Sequence, residues 1–296
     1  EGWRGRLPVW SWVGGRTSIF SSAALLTAQF AGADVAEFLE GARLMDVETR
    51  RADPMKNPAA LLALAWREAQ SDRARAMVVL PYRDRLQLFG RYLQQLVMES
   101  VGKSHDRQGA AVHHGLTVYG NKGTTDQHAI VQQLRDGPDD HFVTTIEVFG
   151  GQEGVILDSG ARAEDHLSGF AYGTRAALRA VGRRTLSLGL ERMDARSLGA
   201  IVALYERAVG LYASLYDINA YHQPGVEAGK KAASQMLELQ VRVLAAIHRG
   251  EQGDAARLAQ VLEAEEEAVF HILRHLSATG RVGRSGDGLS ASFFSL

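Results

Sequence analysis

The stretch of sequence that decides the fold spans residues 115–137 and reads GLTVYGNKGTTDQHAIVQQLRDG. Its apolar start ends in a loop with two glycines, an asparagine, a lysine, two threonines and an aspartate, and His128 stands where the next helix begins. A strand, a polar glycine-bearing loop and a helix start form the place where open α/β sheets bind ligands. The pattern therefore predicts an α/β fold in which His128 moves protons for a bound molecule.

The segments on both sides alternate between strand and helix patterns, which indicates a parallel sheet covered on both faces. Short apolar or β-branched runs predict strands at residues 75–80, 115–119, 141–149 and 185–190. Apolar residues at helical spacing predict helices at residues 19–50, 57–70, 84–98, 166–182, 197–216 and 229–247, the last beginning near Pro224.

The C-terminal tail has a pattern of its own, with two short helices at residues 254–262 and 265–276 and strand candidates at 281–284 and 289–294. This outline resembles a winged helix and raises DNA binding as an alternative. The second helix, however, opens with acidic residues that would repel phosphates, namely Glu263, Glu265, Glu266 and Glu267. We therefore expect an appendage that packs or supports a dimer.

Composition excludes several classes of protein. The 296 residues have a net charge of -1, so no sequence-wide field favours nucleic acid or a membrane surface. The absence of cysteine excludes disulfides and zinc–thiolate sites and is compatible with a reducing cytoplasm. No segment approaches 18 consecutive apolar residues, so we expect no membrane span. The chain opens with Glu1 rather than Met, as though cut from something longer.

Two charged residues stand beside features typical of binding sites. Arg16 follows two glycines that let the backbone approach a ligand closely, although glycine pairs also make ordinary turns. Glu99 follows a helix that carries Gln94 and Gln95. Its carboxylate is either a general base kept partly out of water or a solvated helix end.

His128 and Lys230 are the other two candidates. Asp126 is placed to cap the helix or to orient the imidazole of His128, and a histidine at a helix start is as often a cap as a catalyst. Lys230 lies seven residues beyond Gln223, about two helical turns, so both share a face if the helix includes them. No metal, P-loop, Rossmann or nucleophile-elbow motif occurs, which leaves a metal-free acid/base site.

Four segments together resemble the glucose-6-phosphate isomerase family, in the family's order. They are WVGGRTS at 12–18, LVMESVGK at 96–103, GNKGTTDQHAIVQQLRDG at 120–137 and QPGVEAGKK at 223–231. The resemblance implies an α/β fold, namely a three-layer, flavodoxin-like sugar-isomerase domain with a parallel sheet of about five strands. It assigns residues 1–217 to the family's second sugar-isomerase domain, 218–250 to an active-site helix and 251–296 to a helical, winged-helix-like tail.

The resemblance also implies an activity, the cofactor-free interconversion of glucose 6-phosphate and fructose 6-phosphate through a cis-enediolate. Glu99 would shuttle the proton between C1 and C2, and Arg16 would stabilise the enediolate. His128, reaching the site from the partner subunit of a cytoplasmic homodimer, would open the sugar ring together with Lys230. Positions that contact substrate in the family are matched by Gly15, Arg16, Gln95 and Gln223.

One departure from the family matters most, because its first sugar-isomerase domain, which holds the substrate phosphate, is absent from this sequence. Binding energy from the remote phosphate positions the reacting end of a substrate, so we expect the chain alone to be inactive or nearly so. The alternative is a stand-alone module that binds sugar phosphates without catalysis. Retention of Arg16, Glu99, His128 and Lys230 together argues against a mere sensor.

Overall fold

The computed structural model describes residues 2, 5–72, 74–150 and 154–296. The chain folds into two compact units, Glu1–His222 and Gln223–Leu296. Each unit buries apolar side chains of its own.

The strands of the first unit form a parallel sheet and a separate hairpin. In chain order they are β1 (Ala76–Pro81), β2 (Lys103–His105), β3 (Ala111–His114), β4 (Thr117–Gly120), β5 (His141–Gly150) and β6 (Thr185–Arg192). Within the described residues the sheet has four strands in the order β4-β1-β5-β6, all parallel, close to the expected number of about five. The antiparallel β2–β3 hairpin was not predicted, because strands of three and four residues show too little alternation.

Helices cover both faces of this sheet, as the alternating pattern predicted. Successive residues of β1 point to opposite faces. Met77 and Val79 join one apolar core, and Val78 and Leu80 join another. The helices of the first unit are α1 (Ser22–Phe30), α2 (Val35–Glu48), α3 (Pro58–Asp72), α4 (Phe89–Val101), α5 (Gln127–Asp136), α6 (Ala163–Arg179) and α7 (Ala195–Leu215).

The two cores belong to different groups of helices. The core that includes Met77 draws its other buried side chains mainly from α3, α4 and α7, whereas the core that includes Val78 draws on α5 and α6. The continuous helix predicted at residues 19–50 is wrong, because Gly32 adopts a left-handed φ of 82° that ends α1 before α2 begins. The predicted helix at residues 84–98 begins with a 3₁₀ turn, Asp84–Leu86, ahead of α4.

α7 is the central helix of the first unit. It is apolar and long enough to cross a membrane by composition and length, with a mean hydropathy of 1.3, but half of that window is buried inside the protein. A core helix meets the same criteria, and α7 contributes Tyr205 and Tyr212 to the aromatic packing around Trp66. We therefore regard α7 as a core helix.

Glycines let α7 pack against the backbone of α2. A Cβ atom on Gly199 would lie 1.8 Å from the carbonyl oxygen of Phe38, and a Cβ atom on Gly41 would lie 1.8 Å from that of Arg196. No side chain fits at either position, so the two helix backbones touch directly.

The second unit is a small helical body with a two-stranded sheet. Its elements are α8 (Pro224–His248), α9 (Ala255–Leu262), α10 (Glu266–Ala278), β7 (Gly283–Ser285) and β8 (Ser292–Phe294). The predicted tail helices are present, and both strand candidates pair in antiparallel fashion over three residues each. Phe293 and Leu273 are fully buried in its core, which also includes Val243 and Ile247 of α8.

Candidate active site

Arg16 is a buried cation held from several directions. It lies in a 3₁₀ turn, Gly15–Thr17, and only 4% of it is exposed. Its Nε donates to Ser100 Oγ at 2.8 Å and its Nη1 donates to Glu99 Oε1 at 2.9 Å. Its Nη2 donates to the backbone carbonyls of Ala220 and, at 3.4 Å, His222. These bonds fix the position and the plane of the guanidinium group.

Glu99 lies in the last turn of α4 at the edge of the buried face. The apolar face of this helix, which includes Leu93 and Leu96, is buried in the core. The side chain of Glu99 is 20% exposed, and its carboxylate accepts from Arg16 on Oε1 and from Gln95 Nε2 on Oε2 at 3.2 Å. A partly buried carboxylate that keeps one open side can exchange a proton with a bound molecule.

Lys103 is a third charged residue at this place, and the sequence analysis did not single it out. Only 5% of it is exposed, and its Nζ donates to the backbone carbonyl oxygen of Glu99 at 2.8 Å. Burial, together with the charge of Arg16, lowers the pKa of Lys103 to about 8, and Glu99 opposes the shift. The segment LVMESVGK holds no local signal for it, because the sequence does not distinguish a buried lysine from a solvated one.

His128 lies in the first turn of α5, as predicted, and is exposed. The expectation that Asp126 caps the helix or orients the imidazole is wrong. Its carboxylate makes no cap bond and instead accepts from the backbone N–H of Lys122 at 2.8 Å, closing the preceding loop. Among the hydrogen bonds and ion pairs of the described residues, none joins His128 to Arg16 or Glu99.

Gln223 and Lys230 belong to the second unit, whereas Arg16, Glu99 and His128 belong to the first. Gln223 precedes α8 as its N-cap residue and therefore does not share a helical face with Lys230. Lys230 is exposed and forms an ion pair with Glu227 at 2.9 Å. Gly15 lies directly before Arg16, and a Cβ atom on it would meet nothing within 4 Å, so its surface is open.

The fold and these contacts define a class of protein, an α/β domain in which a buried arginine is hydrogen-bonded to a partly exposed glutamate. The family is more specific. The chain belongs to the phosphoglucose isomerase family, whose model matches residues 4–152 and 176–248. This match confirms the resemblance carried by the four sequence motifs. Residues 153–175, which include the start of α6, lie outside the match.

Relatives of known name agree with the family. The chain is 54% identical over 291 residues to the glucose-6-phosphate isomerase of Synechococcus sp. (strain CC9605), covering 97% of this chain and 54% of that protein. It is 52% identical over 285 residues to that of Geotalea daltonii, covering 94% of this chain and 54% of the relative. The chain thus spans about half the length of these relatives.

Solved structures give the same result for the fold. A hypothetical protein from Thermus thermophilus superposes with a TM-score of 0.71 and 31% identity, over 76% of this chain and 55% of that one. A glucose-6-phosphate isomerase from Chlamydia trachomatis superposes with a TM-score of 0.70 and 26% identity, over 78% of this chain and 48% of that one.

Proposed function

We propose that this chain supplies the acid/base half of an enzyme that interconverts D-glucose 6-phosphate and D-fructose 6-phosphate, a reaction of glycolysis and gluconeogenesis. The observation that carries the proposal is the hydrogen-bonded pair of Arg16 and Glu99, in which a fixed buried cation touches a partly exposed carboxylate. Membership of the phosphoglucose isomerase family supports it.

The geometry of the pair suits proton transfer next to a carbonyl group. Glu99 removes the proton from C2 of the open-chain aldose and returns it to C1 of the cis-enediolate, while a second proton passes from O2 to O1. When Glu99 accepts the proton it becomes neutral, and the negative charge moves to the enediolate oxygen. Arg16 keeps its positive charge and its position throughout, so it stabilises the anion as it forms.

Opening of the sugar ring is assigned to His128 and Lys230. Because His128 is exposed at the start of α5, its imidazole is free to enter the site of a second subunit, which supports a homodimer. Gly15, Gln95 and Gln223 contact the substrate in this proposal.

The proposal places the substrate phosphate in the family's first domain. Residues 1–217 form the second sugar-isomerase domain, residues 218–250 its active-site helix, and residues 251–296 the tail. The enzyme acts in the cytoplasm and needs no cofactor. Without a phosphate-binding domain, this polypeptide alone loses the remote binding energy that orients the substrate, and it is inactive.

A coupled assay of fructose 6-phosphate conversion tests this function. The chain is assayed alone and after fusion to the matching first half of the Synechococcus relative. Gel filtration shows whether each protein dimerises. We expect activity in the fusion only, and Glu99→Gln lowers it by about 10²–10⁴-fold, the usual contribution of a positioned base. Glu68→Gln, a change of an exposed glutamate on α3, serves as the matched control and leaves activity intact.

Two outcomes contradict the proposal. Turnover by the chain alone at the rate of the fusion would show that no phosphate-binding half is needed. A dimeric, folded fusion without activity would instead support a module that binds sugar phosphates and does not catalyse.

A further inference from the structure

Two buried cations meet at Glu99. Among the lysines and arginines that the structure describes, only Arg16 and Lys103 are buried, at 4% and 5% exposure. Arg16 bonds the carboxylate of Glu99, and Lys103 bonds its backbone carbonyl. Buried ammonium groups are rare, because removing their charge from water costs free energy. The bonds of both buried cations to Glu99 therefore indicate a role for Lys103 beyond surface charge.

A plain helix cap does not need this burial. A lysine near the end of a helix can satisfy a terminal carbonyl from the surface, with its ammonium in water. The backbone N–H of Gly102, the residue between α4 and β2, already donates a hydrogen bond to the carbonyl oxygen of Met98 at 2.9 Å. A Cβ atom on Gly102 would lie 2.8 Å from that same oxygen, so the glycine permits the tight turn that brings Lys103 inward.

Lys103 is also part of the β2–β3 hairpin. Lys103 pairs across β2 and β3 with His114, whose Nε2 lies 3.1 Å from Tyr212 Oη on α7. The charged and titratable groups facing Lys103 are thus Arg16, Glu99 and His114. Burial lowers the pKa of His114, so its ring is neutral at neutral pH and does not repel the ammonium.

We propose that Lys103 is a positioning residue for the base. Its ammonium fixes the last turn of α4 through the carbonyl oxygen of Glu99, and its positive charge attracts the carboxylate beside Arg16. This inference rests on the proposed role of Glu99 as the base. Lys103 acts through Glu99 and touches no reacting atom.

The charge coupling is measurable without any activity. Two interacting charges stabilise each other by the same free energy, so the effect of Lys103 on Glu99 equals the reverse effect. The chain has five lysines, and NMR with ¹³C-labelled lysine side chains follows each titration, Lys103 being assigned by the signal missing from Lys103→Arg. We expect the pKa of Lys103 near 8, against the ordinary value of 10.5.

Neutralising Glu99 decides whether the charges interact. In Glu99→Gln the pKa of Lys103 falls by about one unit, because the neighbouring negative charge raised it. Glu68→Gln is the matched control and leaves it unchanged. The proposal is overturned if the pKa of Lys103 in the unaltered chain is the ordinary 10.5. It is also overturned if Lys103 has the same pKa in Glu99→Gln as in the unaltered chain.

The positioning effect is measured in the fusion described above. Lys103→Met lowers kcat by about 10- to 10²-fold with little change in KM, and Lys103→Arg restores part of the loss by keeping the charge. Lys56→Met, which removes an exposed lysine outside the site, is the control. Equal effects of Lys103→Met and Lys56→Met contradict the inference. An inactive unaltered fusion would count against the proposed function, whereas the titration still decides the coupling.

Discussion

Glu206 is a carboxylate on the core helix α7, and it illustrates how packing changes the chemistry of a single residue. Tyr92 Oη donates to its Oε1 at 3.1 Å. Burial raises the pKa of Glu206 from 4.5 to about 7, although the bond from Tyr92 opposes the shift. The side chain therefore stays protonated in the folded chain at acidic pH where it is already ionised in the unfolded chain.

The pH dependence of stability follows from this shift. Between pH 4.5 and 7 the folded state holds a proton that the unfolded state lacks, so the contribution of Glu206 to stability falls as pH rises through that window. The slope approaches about 1.4 kcal/mol per pH unit for one proton. We expect Glu206→Gln to remove this component, as measured by urea unfolding at several pH values. Glu191→Gln, a change at an exposed position, is the control and keeps this pH-dependent component. If the unfolding free energies of the unaltered chain and Glu206→Gln change in parallel with pH, Glu206 is not the source of the component.

At the same scale, the sequence indicated the residue types of the site but not their environments. Whether the side chain of Glu99 is partly shielded or fully solvated depended on Arg16, which is 83 positions away along the chain. Lys103 escaped notice because nothing local distinguishes a buried lysine from a solvated one.

The α2–α7 pair is the element whose packing depends most on a missing side chain. We predict that Gly199→Ala destabilises the first unit by about 3 kcal/mol, because the new Cβ atom meets the backbone of α2 and cannot be accommodated by a side-chain movement. Urea unfolding measures the loss. Gly173→Ala on α6 is the matched control, since nothing lies within 4 Å of its Cβ position, and alanine there stabilises by up to about 1 kcal/mol. Equal effects of the two changes would disprove direct backbone contact.

Helices and strands with strong periodicity were predicted well from the sequence. β1, β5 and α7 lie within a few residues of their predicted positions, because long apolar runs report burial along one segment. The break at Gly32 and the β2–β3 hairpin were missed, since each depends on a few residues whose conformation is decided by neighbouring elements.

At the scale of the whole molecule, the second unit has a core separate from those of the first unit, which predicts two unfolding events. Phe293 is fully buried in the core of the second unit, so Phe293→Ala should cost about 3–5 kcal/mol there. In calorimetry we expect one transition to move to lower temperature while the other stays in place. Leu296→Ala, at an exposed position three residues later, should change neither. A single transition that shifts as a whole would mean that the units unfold together.

The sequence by itself determined the layered α/β fold, the family and the residue types of the proposed acid/base site. Periodicity and motifs are local properties of the chain, so they can be recognised without knowing which segments pack against each other. Only the tertiary structure decided that Arg16 and Lys103 are buried at Glu99, that Glu206 holds a proton near neutral pH, and that α2 and α7 touch through glycines. Burial and charge pairing arise between segments far apart in the chain, so no local pattern records them.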